Sequence, residues 1–527
     1  MARRTTTTLE PPPDAGTPQW WVDRLYAGIV DRLEWIDITD RYYRGVFPLP
    51  WLAPQAAEDF RRILKMTRSN FMGLVIDAQV ERMSIEGFRV GDEPSADLEM
   101  WRIWQANNMD SDFDQGLLEA AICGVSYLLV EPNPGNRRTP KIHVEHANQA
   151  IVEHVPGTNR RESAAGLKAW EDEVTGKIYA TLYLPDKVYK YEADKPKYIR
   201  GRRQRMRWLP RLGVRFVGRN PVKEVPLYEV PNNPRLLTGG VSEIADVMDV
   251  QDRIVKTIAD RLMTQDFGAF PQKWASAWPE SDADGNPTPE IQIGRNRMVT
   301  TEVAETKFGQ WDAAEIGGYI VAKAEDVKDI ASRTRTPAQY LLGEMSNVNG
   351  ETLKASESGL VSKVRQRCKG VDDPVERAMR SVRRLAGLPT GDEMMQVIWK
   401  NPEFRTEGEL VDALFKLGSP PINMPRVVVW EKWGATPPEI QRWEGLMREQ
   451  RRQDDLMMMM TERYKAAAVA DATQTATPAG QGGAAKPDPQ AKSKQRGGGG
   501  GGGGRRRQSR DTDGDGIVGE GRNGNAL

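Results

Sequence analysis

Three histidines, His143, His146 and His154, are the only ones in a chain of 527 residues, and two of them flank Glu145 in KIHVEH. Imidazole and carboxylate groups so close together are the ligand types of a zinc or iron site. If residues 141–146 form a strand, however, His143 and His146 point to opposite faces and do not converge locally. A second candidate is DTDGDGIVGEGR, where Asp511, Asp513, Asp515 and Gly516 have the spacing of a calcium loop. Position twelve is Arg522, not the bidentate glutamate such a loop requires, and Glu520 is misplaced for that role. An acidic tail is the better reading, so no metal site is expected. No GxxxxGK[ST] cradle for phosphates occurs, which leaves an ATP-driven motor unsupported. Cys123 and Cys368 form no CxxC pair, which argues against a zinc or disulfide framework and fits a reducing compartment. No catalytic constellation assembles; the chain is expected to be no enzyme and to need no cofactor.

Two segments have the chemistry of contact. RGRRQRMRWLPRLGVRFVGR carries Arg200, Arg202, Arg203, Arg205, Arg207, Arg211, Arg215 and Arg219 around Trp208 and Phe216. Guanidinium groups there suit nucleic acid or an acidic neighbouring subunit; a hairpin of solvated arginines is the blander reading and the favoured one. In LLGEMSNVNGETLKASE the stretch Gly343–Gly350 holds Gly343, Ser346, Asn347, Asn349 and Gly350, which favour turns, and its tip is uncharged. Its tip, Met345, Ser346, Asn347, Val348 and Asn349, offers phosphate neither strong attraction nor specific readout, and Glu344 and Glu351 flank it.

The elements that must position these segments follow from periodicity and breakers. Residues 1–18 are Thr- and Pro-rich and expected to be disordered. MARRTTTTLEPPP has no apolar core, so no secretory signal is expected, and no apolar run reaches the roughly 20 residues of a membrane span. Helices are predicted from Gln19, over about Ala56–Met83 and over 97–122. Residues 140–230 change to the alternating, β-branched and aromatic pattern of strands. Ile244, Val247, Met248, Ile254, Val255, Ile258 and Leu262 mark a long helix, and about 319–334 a second, joined by a small mixed region at 268–316 with strands at EIQI and RMVTT. Asn349 caps a helix at 351–369 that Gly370 should stop, and Asp373 with Pro374 should start another. Further helices follow in GELVDALFKLG and PPEIQRWEGLMREQRRQDDLMMMM; from about Ala470 the Ala/Gln/Gly/Pro composition and eight consecutive glycines exclude a core. The class is α+β, mainly helical. The 74 basic and 74 acidic residues cancel, so no global charge argues for a nucleic-acid coat. The first long helix carries Glu243, Asp246, Asp249, Asp252, Asp260 and Asp266 against Arg253, Lys256 and Arg261. That excess suits equally a lining that repels DNA or an ordinary solvated face.

Taken in order, four blocks resemble the portal proteins of tailed bacteriophages, the head-to-tail connectors of siphophage type: RSNFMGLVIDAQVERMSIEGFRV; LLEAAICGVSYLLV; VPLYEVPNNPRL with GGVSEIADVMDVQDRIVKTIADRLMTQDFGAFPQKW; and TPAQYLLGEMSNVNGETLKASESGL. The resemblance implies a dodecameric ring around a DNA channel, each subunit having wing, stem, clip and crown. Carried onto this chain, the wing is 19–240 and the first stem helix 241–266. The clip is 267–316, the second stem helix 317–340 and the tunnel loop 341–351, with Glu344 to Asn349 facing the channel. Residues 352–420 hold the long helix and more wing, 421–470 crown-like helices and 471–527 a disordered tail. Asn349-Gly350 stands where the family often has Ser-Gly, and the C-terminal third matches poorly. Implied partners are the terminase large subunit, head-completion (adaptor), major capsid and scaffolding proteins and double-stranded DNA, with no membrane. The implied place is the portal vertex of the virion, after assembly in the host cytoplasm. The rival expectation is a capsid-associated or nucleic-acid-binding protein without a channel.

Overall fold

The computed structural model describes residues 13–48, 65–91, 96–160, 162–196, 198–199, 202–203, 206–236, 238–269, 273–277, 305–310, 315–343, 350–389, 394–403 and 407–474. The chain divides into two units, Met1–Gln450 and Arg451–Leu527.

In the first unit, helix α1 (Pro18–Tyr43) begins where the Thr17 hydroxyl accepts the Trp20 N–H and proline occupies the first turn. It buries Val22, Leu25 and Ile29 against a sheet, then Ile36 and Tyr42 in a second core. The helix predicted over Ala56–Met83 is broken. Residues 51–64 lie outside the described residues, and α2 spans only Met72–Val80. The cause is Asn70, whose Oδ1 accepts the Met72 N–H at 3.0 Å and whose Nδ2 donates to the Tyr43 carbonyl at 2.7 Å. The stretch 97–122 likewise divides into α3 (Leu98–Ala106) and α4 (Met109–Cys123), separated by Asn108 in the left-handed region at φ 58°.

Antiparallel strands fill the β-rich part. β2 (Val125–Glu131) lies between β3 (Lys141–Glu145) and β12 (Leu227–Pro231). β4 (Ala150–His154), β5 (Ser163–Asp172), β6 (Lys177–Tyr183) and β7 (Lys187–Asp194) run in order, and β10 (Leu209–Pro210) and β11 (Val217–Arg219) both pair with β7. β8 (Tyr198–Ile199) and β9 (Arg202–Arg203) pair with each other, and β1 (Ile85–Val90) pairs with the distant β15 (Met395–Trp399). β12 leads back toward α4 through a very close crossing. A Cβ on Gly240 would lie 1.9 Å from the Gly124 carbonyl oxygen, so neither chain could approach with a side chain present.

Two helices then pack antiparallel. α5 (Met248–Ala269) and α6 (Gly317–Thr334) run in opposite directions, since Arg253 meets Asp326 and Asp329 while Thr264 meets Tyr319. α5 starts seven residues later than the boundary at 241. The backbone of 241–247 is pinned instead, with Val241 N–H on the Asn232 carbonyl and Glu243 N–H on that of Ala121. Ile244 and Val247 are nevertheless buried. Between the helices, β13 (Lys273–Ser276) pairs with β14 (Lys307–Gln310); EIQI and RMVTT lie outside the described residues.

After the short α7 (Ala338–Leu342), α8 runs unbroken from Gly350 to Ala386 over 37 residues with Pro374 inside it. The expected stop at Gly370 and restart at Asp373 do not occur. Leu360, Val364, Cys368, Val371, Val375, Ala378, Val382 and Leu385 hold one buried stripe in phase across both signals, so packing overrides local propensity. Gly370 serves closeness instead: a Cβ there would sit 3.2 Å from the Pro234 ring. The stripe joins Phe88, Trp101, Trp104 and Phe113 in the largest core. α9 (Glu407–Gly418), α10 (Arg426–Trp433) and α11 (Pro437–Gln474) complete the described elements. The described part of the second unit is α11 from Arg451 to its end, exposed throughout where side chains are placed. Among the described residues no helix is long and apolar enough to cross a membrane.

Candidate channel loop and its anchorage

The six candidate loop residues, Glu344, Met345, Ser346, Asn347, Val348 and Asn349, lie outside the described residues. Their two flanks do not. On one side α7 closes with Gly343 at φ 69°; on the other α8 begins. Tyr340 and Glu357 tie the flanks together, the phenol donating to a carboxylate that is 93% shielded. Arg82, in the turn just after α2, braces both: its guanidinium donates to the Tyr340 oxygen at 2.9 Å, lies 3.4 Å from Glu357 and donates to the Pro402 carbonyl at 3.0 Å. Burial, reinforced by the hydrogen bond to Glu357, pushes the Tyr340 hydroxyl above its ordinary value. Gln339 adds a bond of 2.7 Å to Ser356.

One turn and a half further along α8 lies a buried ionic node. Glu243, on the lead-in to α5, receives Lys363 at 3.3 Å and Arg367 at 3.1 Å, and all three side chains are more than nine-tenths buried. Lys363 also donates to the Thr334 carbonyl at 2.7 Å, at the last turn of α6, where a cation complements the helix dipole. Arg367 reaches Asn233 at 2.8 Å. Burial holds the Lys363 ammonium below its ordinary value, against the pull of Glu243. One carboxylate therefore fastens the entry to α5, the exit of α6 and the middle of α8. The sequence gives each residue as an ordinary helix charge, and nothing in local spacing reveals the convergence.

The acidic excess of the first long helix is partly accounted for inside the subunit. Glu243 belongs to the node, Asp252 accepts from the Tyr42 hydroxyl at 2.8 Å, and Asp260 pairs with Lys256. Asp246, Asp249 and Asp266 remain exposed.

The arginine run divides. Arg202 and Arg203 form β9; Arg200 and Arg205 lie outside the described residues; Arg207 is exposed. The aromatic residues among them face inward. Trp208 is buried against Tyr26 and Tyr191, and Phe216 packs edge-on to Tyr191 with centroids 5.1 Å apart. Arg211 lies over the Tyr179 ring at 4.1 Å. These rings are engaged in the sheet core and are not free to stack on bases.

The histidines separate, though not by strand alternation, since β3 ends at Glu145 and His146 lies in the turn that follows. His143 is exposed on β3, and His154 bonds Glu229 at 3.1 Å, which Arg160 also grips at 2.6 and 2.7 Å. His146 instead meets two residues that sequence reasoning did not connect with it. Its Nε2 lies 2.9 Å from Glu119 and 3.6 Å from the Cys123 sulfur, those two being one turn apart on α4. Cysteine, histidine and carboxylate are zinc ligand types, but the second ring nitrogen argues otherwise. The Asn148 backbone N–H donates to Nδ1 at 3.0 Å, which assigns the ring proton to Nε2, facing Glu119. A metal on Nε2 would need that proton on Nδ1, against a donor. Burial keeps the Cys123 thiol above its usual value and therefore protonated. The cluster is a hydrogen-bonded tie between α4 and the turn after β3. The DTDGDG stretch lies outside the described residues.

Comparison with known proteins decides the family. The family described as "Phage portal protein, SPP1 Gp6-like" matches residues 21–422. The chain belongs to this phage portal family. It is 28% identical over 394 residues to the portal protein of Mycobacterium phage D29, covering 70% of this chain and 77% of that one. With the portal protein of Mycobacterium phage L5 the identity is 29% over 361 residues, covering 65% and 71%. Among solved structures, a chain of the virion of a native gene transfer agent particle is similar over 70% of this chain and 90% of that one. Its identity of 12% and TM-score of 0.37 are too low for residue correspondence. The resemblance read from the four sequence blocks holds. Portal proteins are structural, non-enzymatic components of the phage virion that connect head and tail, and this chain is one of them.

Proposed function

We propose that the chain assembles as a dodecameric ring at one capsid vertex and forms the channel through which double-stranded DNA is packaged and ejected. On this reading α5 and α6 are the stem, β13 and β14 belong to the clip, and the 344–349 segment is the tunnel loop. The sheets with α1 to α4 and α8 make the wing, and the helices from 421 onward a crown. The observation that carries the reading is the anchorage of the loop. Both its flanks are fixed to one another through Tyr340, Glu357 and Arg82, and the helix behind it is joined to both stem helices at Glu243. A loop with so firm a base suits contact with a moving polymer, and its neutral tip would let phosphates slide past. The clip would dock the terminase large subunit, which supplies the ATP-driven step that this chain lacks. Head-completion proteins would seat on the assembled ring, and major capsid and scaffolding proteins surround it after assembly in the host cytoplasm. Negative-stain electron microscopy of the purified full chain tests the proposal. Rings with a central hole wide enough for a DNA duplex are expected; solitary molecules at every concentration would remove it.

A further inference from the structure

The edge of the six-stranded sheet beyond β7 is interrupted. β10 and β11 lie end to end along β7, and the break between them falls opposite a single residue. The Lys190 carbonyl accepts the Arg211 N–H at 3.0 Å, and the Lys190 N–H donates to the Phe216 carbonyl at 3.0 Å. The four residues between, Leu212, Gly213, Val214 and Arg215, are looped out of the edge, and all four are exposed. Gly213 stands at φ 76°, the left-handed conformation that so tight a loop requires. The base of the loop is firmly held. Arg211 folds back over the Tyr179 ring, Phe216 packs against Tyr189 and Tyr191, and the Leu212 N–H donates at 3.1 Å to the buried carboxylate of Glu192.

A bulge by itself guards a sheet edge against unwanted pairing, and charged or polar residues serve that purpose. This one instead carries Leu212, 78% exposed, and Val214, 41% exposed, with Leu209 at 46% on the adjoining β10. Cations frame these apolar side chains. Arg219 on β11 pairs across the strands with Lys187, and like charges directly opposite weaken a sheet. Among the described residues none forms an ion pair with Lys187, Arg215 or Arg219, and Asp186, next in sequence to Lys187, engages none of them. From Lys195 to Lys223 the sequence holds no Asp or Glu. This uncompensated charge calls for anions, while Leu212 and Val214 call for an apolar surface that phosphates do not offer. The rings nearby are packed in the sheet core and cannot stack on bases. A segment with carboxylates beside apolar side chains satisfies both demands.

We propose that the 212–215 loop, with Lys187 and Arg219 on the strands beside it, docks an acidic amphipathic segment of another protein. The contact goes beyond the ring proposed above and does not depend on it. Binding to the purified full chain is followed by fluorescence anisotropy at low salt with three labelled probes. They are a peptide of repeating Glu-Leu-Leu-Glu units, a polyglutamate of equal charge and a DNA duplex. The leucine-bearing peptide should bind roughly tenfold or more tightly than polyglutamate. Leu212→Ser with Val214→Ser should bring the two peptides to the same affinity. Arg215→Glu with Arg219→Glu should weaken both roughly tenfold. On electron-microscope grids both variants should assemble as the wild type does. Equal binding of the two peptides by the wild type would overturn the proposal, as would tight binding of the leucine-bearing peptide that survives the serine changes. A duplex that binds more tightly than either peptide, and is released by the glutamate changes, would make the loop a phosphate surface instead. Wild-type rings that disappear in the serine variant would give the loop to a second copy of this chain and equally overturn it.

Discussion

Replacing Glu243 by glutamine keeps the shape of the side chain and removes its charge. Lys363 and Arg367 then lose the anion that both reach, 3.3 and 3.1 Å away, while remaining buried. Neither can move to water, because Lys363 is fixed to the Thr334 carbonyl and Arg367 to Asn233. Removing one partner from a buried ionic group costs about 3–5 kcal/mol, and glutamine, which can still accept one hydrogen bond, belongs at the lower end. Lys363→Met should cost less, since Glu243 keeps Arg367 and burial already weakens the lysine's charged form. The combined variant should be less destabilised than the sum of the two by about 1–3 kcal/mol. Urea denaturation followed by tryptophan fluorescence measures all three. Additive effects, or a Glu243→Gln change within about 0.5 kcal/mol of wild type, would show that the node contributes no coupling, and the account of how α5, α6 and α8 are fastened would fail.

Burial pushes the Tyr127 and Tyr191 hydroxyls up to about 12. A raised folded value means the stabilisation is complete below the unfolded value near 10 and is lost as pH climbs toward 12; stability should fall across that window, and tyrosinate absorbance of the native protein should show a late-ionising class. A native titration with every tyrosine near 10 would refute this. Pro374→Ala restores a helix donor in α8, and the interior cost of proline, about 3 kcal/mol, exceeds the chain entropy that proline removes. The variant should be stabilised by about 1–2 kcal/mol, and a loss of stability on denaturation would contradict the account of α8. Tyr340→Phe removes the tie to Glu357 at the loop base; hydrogen exchange of 338–343 should accelerate roughly fivefold or more with global stability little changed, and unaltered exchange would show that the tie is not what holds the flank.

Periodic apolar stripes made the long helices legible in the sequence, as alternation did the strands of 140–230. The errors lie where a local signal had a different cause. Gly370 and Pro374 read as stop and start, yet Gly370 is small because Pro234 leans on it, and the stripe from Leu360 to Leu385 carries the helix through. Asn70 and Asn108 were available as breakers and carried no weight against apolar periodicity, although their side-chain and backbone preferences end the helices there. The loop was read from composition and family resemblance, and its six residues lie outside the described residues. Its anchors were not read, because Arg82, Tyr340 and Glu357 are far apart in sequence and have no pattern until the chain is folded. The Cys123–His146 tie escaped for the same reason, since only the turn after β3 swings His146 to α4.

A helix that ignores its own punctuation keeps its turns continuous. With about 1.5 Å of rise per residue, α8 runs roughly 55 Å from Gly350 into the largest core. Had the chain stopped at Gly370, a push at one end would have been absorbed by a hinge in the middle. With continuous turns instead, α8 links Glu357, where Tyr340 and Arg82 meet it, to Phe88, Trp104 and the β1–β15 pair through one shared core.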